Sequence, residues 1–205
     1  MAKLYFRYGA MGSSKTANAL MVRYNYLEKG QQVVMLKPRM DTRDPEHILR
    51  SRSGLEAPCQ FVEDFLAQVA DWEREAWYDC AAVIVDEAQF LTGAQVDQLS
   101  ELVDVFGIPV LCYGLRTDFQ GHLFEGARRL MEIADVIEQV PTVCWCGKLA
   151  HFNARVRDGK IVREGAQVEV GGNERYVSLC RLHFKLGQLH ADPEDRARCL
   201  YPPKV

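Results

Sequence analysis

Gly9-Ala10-Met11-Gly12-Ser13-Ser14-Lys15-Thr16 is the stretch on which the reading of the fold turns. It follows an aromatic, strand-like run, Leu4-Tyr5-Phe6-Arg7-Tyr8, and precedes a helical pattern. A loop in that position turns backbone N–H groups toward phosphate oxygens, while a lysine reaches the terminal phosphates and the next hydroxyl ligates Mg2+. Lys15 and Thr16 stand where those two roles fall, so the motif predicts a bound nucleoside triphosphate. The usual pattern has glycine where Ser14 stands; the match to G-x-x-x-x-G-K-[ST] is imperfect, and tight backbone geometry is expected there. The plainer alternative is a Ser/Gly-rich turn between strand and helix, and two later features weigh against it.

Outward from the loop, Ala17, Leu20, Met21 and Tyr24 fall at helical spacing and predict one apolar stripe on a helix that Gly30 ends. Gln32-Val33-Val34-Met35-Leu36 predicts a buried strand stopped by Pro38. Arg39 to Pro58, charged and broken by Pro45 and Gly54, reads as a long mobile loop. Phe61, Phe65, Leu66, Val69 and Trp72 again keep helical spacing. Ala81-Ala82-Val83-Ile84-Val85 is apolar without alternation, as a strand buried on both faces must be. Val96, Leu99, Leu102, Val103 and Phe106 predict another helix, and Ile108 to Leu115 another strand. Alternating strand and helix predicts an α/β fold, a mostly parallel sheet flanked by helices and joined by right-handed crossovers. Near Pro141 the composition turns to glycine and charge, which predicts a nucleotide-binding domain over 1–140, a smaller domain over 141–190 and an ill-ordered tail over 191–205.

Val85-Asp86-Glu87 is the second chemical signal: an apolar strand ending in two carboxylates, about 70 residues after the loop. It resembles a Walker B strand, in which one acid serves Mg2+ and its neighbour orients or deprotonates the nucleophile. Asp86 takes the first role and Glu87 the second. Asp41-Thr42-Arg43 follows the second strand, and Arg43 can reach phosphoryl oxygens; a charged loop is otherwise a solvated one. The third signal is Cys144-Trp145-Cys146 with Cys180-Arg181-Leu182-His183, two pairs separated by 33 residues. Three thiolates and one imidazole suit tetrahedral zinc of the structural kind, although C-x-C is shorter than the usual knuckle and also reads as buried cysteine. Cys59, Cys80, Cys112 and Cys199 read as small buried hydrophobes. His47, His122, His151 and His190 have no comparable partners in the sequence pattern and read as surface or core residues.

Composition limits the partners. The 205-residue chain is 48% hydrophobic and has a formal net charge of −3, with no clustered basic patch, so neither nucleic acid nor a membrane surface is expected to be a partner. No stretch approaches the ~18 apolar residues of a membrane span, and the start Met1-Ala2-Lys3 has no apolar leader, so a cytoplasmic protein is expected. The seven cysteines are an odd, scattered set that does not read as a disulfide framework.

Together these features resemble thymidine kinase of the zinc-bearing, tetrameric type, with Val85-Asp86-Glu87-Ala88-Gln89-Phe90, Pro109 through Phe119 and Gly171-Gly172-Asn173-Glu174-Arg175-Tyr176 as further matching stretches. The resemblance covers about residues 3–185. It implies a P-loop, RecA-like sheet domain with a small zinc-binding lasso domain, and transfer of the γ-phosphate of ATP to the 5'-hydroxyl of thymidine, giving thymidine monophosphate. It further implies that Gly9, Ala10, Met11, Gly12, Ser13, Ser14, Lys15 and Thr16 hold the ATP phosphates. Asp41, Arg43, Asp86 (on the Mg2+ side) and Gln89 belong with them, and Glu87 is the catalytic proton acceptor. Phe90, Leu115, Phe119 and Phe124 are implied around the base, with Gln167, Val168, Glu169, Val170, Gly171 and Tyr176 in a lasso that closes over the nucleoside. Cys144, Cys146, Cys180 and His183 hold the structural Zn2+ that anchors it. Feedback inhibition by dTTP and a homotetramer are also implied. Two other functions share parts of the pattern. A zinc-bearing DNA-dependent ATPase needs a basic groove that this acidic chain does not display, and a non-catalytic nucleotide-binding regulator sits poorly with intact Lys15, Thr16, Asp86 and Glu87.

Overall fold

The computed structural model describes residues 1–42, 47–69, 79–167 and 175–190. The opening aromatic run is strand β1 (Leu4–Tyr8), the loop leads to helix α1 (Lys15–Leu27), and strand β2 (Gln32–Lys37) follows. Then come short strands β3 (Ile48–Arg50), β4 (Glu56–Pro58) and β5 (Gln60–Phe61), helix α2 (Val62–Val69) and strand β6 (Cys80–Val85). Helix α3 (Gly93–Asp104), strand β7 (Val110–Gly114), helix α4 (Glu125–Ile133) and strand β8 (Val136–Gln139) complete the alternation. Strands β9 (Phe152–Arg157), β10 (Lys160–Val162) and β11 (Arg175–Leu179) precede helix α5 (Arg181–Leu186).

Six strands pair in the order β5-β2-β6-β7-β1-β8, every pair parallel. Alternate residues of each strand divide between two faces. Phe6, Val83, Val85 and Cys112 join Phe65 of α2, Leu99 and Leu102 of α3 and Leu130 of α4 in one core. Tyr5, Ile84, Leu111 and Tyr113 look the other way, toward Ala19 and Leu20 of α1. Only β7 separates β1 from β6, with Tyr8 opposite Gly114 and Val85 opposite Cys112. The carboxyl ends of the loop strand and the acid-bearing strand therefore share one edge, where ligands of such sheets bind. Among the described residues no helix is long and apolar enough to cross a membrane.

By its contacts the chain divides into two units. One comprises Met1–Tyr8, Ser14–Arg116 and Phe124–Val140; the other comprises Gly9–Ser13, Thr117–Leu123 and the chain from Pro141 onward. The second is built on an antiparallel sheet, β10-β9-β11, whose core gathers Cys144, Ala150, Ala154, Leu179, Cys180 and Phe184.

Three expectations are corrected in detail. The stretch read as a long mobile loop contains the antiparallel hairpin β3–β4, with Leu49 and Ala57 buried against the face that α1 covers. Strands of three residues are too short to leave a periodic signal. Helix α1 is rotated relative to the stripe read in its sequence: Leu20 is buried as read, with Lys15 and Ala19 beside it, whereas Met21 and Tyr24 are exposed. The small Ala19, with Leu20, packs against the sheet face of Ile84, Leu111 and Tyr113. Helix α2 begins at Val62 because Phe61 is paired in β5, and Trp72 lies outside the described residues. Of the isolated cysteines, Cys59 and Cys112 are buried and Cys80 is half-buried; Cys199 lies outside the described residues, as do 191–205.

Candidate active site

At the start of α1 in the first unit stands Ser14. Its φ of 60° and ψ of 29° put it in the left-handed region, which explains why glycine is the usual residue there. Ser14 is exposed and its side chain makes no capping hydrogen bond, although its carbonyl accepts the Asn18 N–H at 2.9 Å. Lys15 and Thr16 then open α1, with Lys15 buried. Thr16 Oγ1 donates to Asp86 Oδ2 at 2.7 Å, bringing together the loop hydroxyl and the first acid of the strand end. A hydroxyl and a carboxylate so placed are hard oxygen donors of the kind Mg2+ takes.

The first turn of α1 is also tied to the sheet. The wholly buried Tyr113 on β7 donates through its hydroxyl to Asn18 Oδ1 at 3.0 Å and accepts from Arg7 Nη1 at 2.7 Å. Burial pushes the Tyr113 phenol above its ordinary pKa, with the Arg7 hydrogen bond working against that rise. The phenol thus keeps the proton that it donates to Asn18.

Glu87 is buried and also left-handed, at φ 51°. Gln89 holds its carboxylate: Nε2 donates to Glu87 Oε2 at 2.5 Å, while Oε1 accepts the Leu115 N–H at 2.9 Å. The sheet makes room for this amide only because residue 114 is glycine. A Cβ there would lie 2.7 Å from Gln89 Oε1 and 3.0 Å from the Gln89 nitrogen. The Ala88–Phe90 turn is pressed just as closely from the other side by Gly126, where a Cβ would meet the Ala88 carbonyl at 2.5 Å. Phe90 meets Phe124 edge to face, with centroids 5.8 Å apart, an arrangement aromatic rings favour. Glu87, Gln89, Phe90, Leu115 and Phe124 thus form one contiguous group. Asp41 is buried after β2, its N–H donating to the Pro38 carbonyl at 3.0 Å; Arg43 lies outside the described residues.

In the second unit, Gly9–Ser13 folds as a turn in which the Ser13 N–H donates to the Ala10 carbonyl at 3.2 Å and Gly12 has φ +76°. Both backbone groups of Met11 are held. Its N–H donates to Asn153 Oδ1 at 2.7 Å, and its carbonyl accepts from Ser178 Oγ at 2.5 Å. Phe119 is buried, and Tyr176 is half-buried on β11. Gln167 Nε2 donates to Asp118 Oδ2 at 2.9 Å. Val168, Glu169, Val170 and Gly171 lie outside the described residues.

The same unit gathers the metal-type residues. One ligand atom from each of Cys144, Cys146, Cys180 and His183 lies within 4.8 Å of the others. Cys144 Sγ is 3.4 Å and Cys180 Sγ 3.5 Å from His183 Nδ1, and Cys146 Sγ is 3.9 Å from Cys180 Sγ. Zinc bonds of about 2.3 Å to sulfur and 2.0 Å to nitrogen give tetrahedral edges of roughly 3.5–3.8 Å, so the donor set fits Zn2+ in both chemistry and spacing. Trp145 stacks on His183 at 4.1 Å and fixes the ring plane. Burial pushes the Cys146 thiol up to about 11. At Cys180 burial also works to raise the thiol, yet the backbone N–H groups of His183 and Leu182 and the neighbouring thiols hold it below its ordinary value.

The residues that sequence reading passed over are those acting across long separations. Asn153 and Ser178 meet Met11 from 142 and 167 positions away, and Tyr113 meets Asn18 from 95. The only local hint was a polar residue inside a strand-like run.

Ser14→Gly is expected to raise the unfolding free energy by up to ~1 kcal/mol, because it removes a left-handed side chain that makes no compensating cap; a urea titration that shows a loss instead would refute this account of the position. Gly114→Ala is expected to lower turnover at least ~10-fold while the chain stays folded, since its Cβ displaces the Gln89 amide that holds Glu87. Steady-state kinetics beside Gln89→Ala check this, and a parental turnover in Gly114→Ala would remove the packing argument. Purified protein is expected to carry one zinc per chain by elemental analysis, and Cys180→Ser to lose it with a lower melting temperature. Retention of full occupancy in that variant would exclude the four-ligand assignment.

The model of the family described as thymidine kinase matches residues 2–184. A thymidine kinase of Zymomonas mobilis is 45% identical over 186 residues, covering 90% of this chain and 96% of its own. One of Novosphingobium aromaticivorans is 48% identical over 189 residues, covering 90% and 97%, and one of Xanthomonas campestris is 46% identical over 208 residues, covering 98% and 100%. Among solved structures, a Pif1 helicase from Candida albicans aligns with 68% of this chain and 36% of its own at 10% identity and a TM-score of 0.38, a likeness that carries no argument about activity. On the extent and identity of these matches, the chain belongs to the thymidine kinase family.

Proposed function

We propose that this protein transfers the γ-phosphate of ATP to the 5'-hydroxyl of thymidine, giving thymidine monophosphate. The observation that carries the reading is the Thr16–Asp86 hydrogen bond at 2.7 Å, beside buried Lys15 and Glu87, in a chain that belongs to this family. The backbone of Gly9–Ser14 and the Lys15 ammonium hold the phosphates, with Asp41 and Arg43 contributing from the loop after β2. Mg2+, held through Thr16 and Asp86, would neutralise charge on the bridging and terminal phosphate oxygens. Glu87 accepts the hydrogen bond of the 5'-hydroxyl and aims it at phosphorus. Phosphoryl transfer has a loose transition state with little early proton loss, so alignment is the larger part of the Glu87 contribution. Gln89 keeps that carboxylate in one orientation and stands with the residues on the ATP side.

Phe90, Leu115, Phe119 and Phe124 supply apolar surface for the base, and Gln167, Val168, Glu169, Val170, Gly171 and Tyr176 form the closing lasso. Zn2+ at Cys144, Cys146, Cys180 and His183 is structural and joins the two ends of the intervening 33 residues. The reading extends to a cytoplasmic homotetramer inhibited by dTTP.

Labelled ATP with Mg2+ and a panel of nucleosides tests the activity, with labelled thymidine monophosphate as the expected product. ATP binding without any phosphorylated nucleoside would refute it. In the same assay Glu87→Gln is expected to cut turnover ~100-fold or more, with the thymidine KM changed less than about threefold because the amide keeps the shape and the contact to Gln89. A variant turning over like the parent would show that the role lies elsewhere.

A further inference from the structure

Asn18 is a poor helix former, and it stands exposed at the end of the first turn of α1. Its backbone N–H donates to the Ser14 carbonyl at 2.9 Å, the first helical bond after a left-handed residue that has no side-chain cap. Its side chain is committed to the sheet, where Oδ1 accepts the Tyr113 hydroxyl at 3.0 Å. Tyr113 belongs to β7, is wholly buried, and lies in the layer that also holds Ala19 and Leu20 of α1. The Tyr113 oxygen accepts from Arg7 Nη1 at 2.7 Å, and Arg7 Nε donates to Glu138 Oε2 at 2.8 Å. A row of hydrogen bonds thus runs from β8 through β1 and β7 into the start of α1.

Accepting from a cation polarises a hydroxyl and strengthens the bond it donates, so Arg7 makes Tyr113 a better donor toward Asn18. Lys15 and Thr16 precede Asn18 within the same helical turn, and a turn closed by its own hydrogen bond moves as one piece. We propose that Tyr113 is a positioning residue for ATP: its hydroxyl holds Asn18, and through Asn18 the turn that presents Lys15 and Thr16 to the triphosphate. The inference rests on the thymidine kinase reading and extends it to a residue whose hydroxyl is committed to Asn18 and Arg7. With the turn fixed beforehand, Thr16 already lies 2.7 Å from Asp86 when nucleotide arrives. Without the phenol oxygen the left-handed entry at Ser14 loses one of its restraints, and the triphosphate must itself order Lys15 and Thr16 as it binds. That cost appears in ATP affinity rather than in thymidine affinity. Phenylalanine at 113 keeps the ring that packs in the apolar layer and removes only the bond.

Steady-state kinetics of the parent, Tyr113→Phe, Asn18→Ala and the double variant test this, with displacement of a fluorescent ATP analogue reporting nucleotide affinity and melting temperature confirming the fold. Tyr113→Phe is expected to weaken analogue binding and raise the ATP KM ~3-fold or more, with the thymidine KM unchanged within about twofold. Asn18→Ala is expected to do the same. The double variant should bind ATP no worse than the weaker of the two single variants, because both remove one bond. Unchanged ATP affinity in Tyr113→Phe, additive losses in the double variant, or equal loss of ATP and thymidine affinity would each overturn the proposal; the last is what a merely structural role gives. If Tyr113→Phe does not fold, Asn18→Ala decides on the same two readouts. A parent that binds the analogue but phosphorylates no thymidine would instead remove the functional reading, and analogue binding by the variants would still decide the role of Tyr113.

Discussion

The hydrogen bond from Thr16 Oγ1 to Asp86 Oδ2, 2.7 Å long, is the contact on which the arrangement of the first unit depends. It spans two residues 70 positions apart, and it can form only if the strands before them end at the same edge. Parallel pairing through β7 guarantees that. Tyr8 faces Gly114 and Val85 faces Cys112, so β1 and β6 are brought level by a shared neighbour. Wholly buried Phe6, Ile84, Val85 and Cys112 hold the register, because a slip of one residue would exchange the two faces and bury each side chain in the wrong layer. Chemistry at the sheet edge is in this sense a consequence of apolar packing beneath it.

Two residues at that edge carry left-handed backbone without being glycine, Ser14 at φ 60° and Glu87 at φ 51°. Such conformations persist only where neighbours over-determine them. For Ser14 the restraint is the first turn of α1, held through Asn18 by both the Ser14 carbonyl and the Tyr113 hydroxyl. For Glu87 it is Gln89, anchored on the Leu115 N–H and fitted against Gly114. The two positions differ in what the strain accomplishes. At Glu87 the side chain is buried and its carboxylate accepts from Gln89 Nε2; at Ser14 the side chain is exposed and the backbone alone matters.

Features that repeat or cluster locally were legible in the sequence. The Gly9–Thr16 motif is contiguous, the acid pair ends an apolar strand, and C-x-C with C-x-x-H lies at ligand spacing; the structure brings one ligand atom of each of the four metal-type residues within 4.8 Å of the others. The α/β alternation was legible for the same reason, since each long element carries its own periodicity. What stayed hidden was set by tertiary context. Helix α1 presents Ala19 rather than Met21 to the sheet, because close approach to β6 and β7 rewards a small residue over a large one. Leu49 and Ala57 gain their burial from α1, not from any pattern in their own short strands. Gln89 is placed on the ATP side by the resemblance, but its hold on Glu87 stays hidden until Gly114 and Leu115 are seen beside it.

Strand β11 shows how a small unit carries several duties with few residues. Side chains two apart on a strand share a face. Tyr176 and Ser178 therefore point the same way, the first to Arg155 and the second to the Met11 carbonyl, and Cys180 follows at the next even step as a member of the metal-type cluster. The antiparallel partner β9 matches this spacing: Arg155 pairs with Tyr176 and Asn153 with Ser178, so the two residues that grip Met11 are themselves cross-strand neighbours. A one-residue shift between β9 and β11 would break the Arg155 contact and the Met11 clamp together. The period of two that makes these duties economical thus also makes them inseparable.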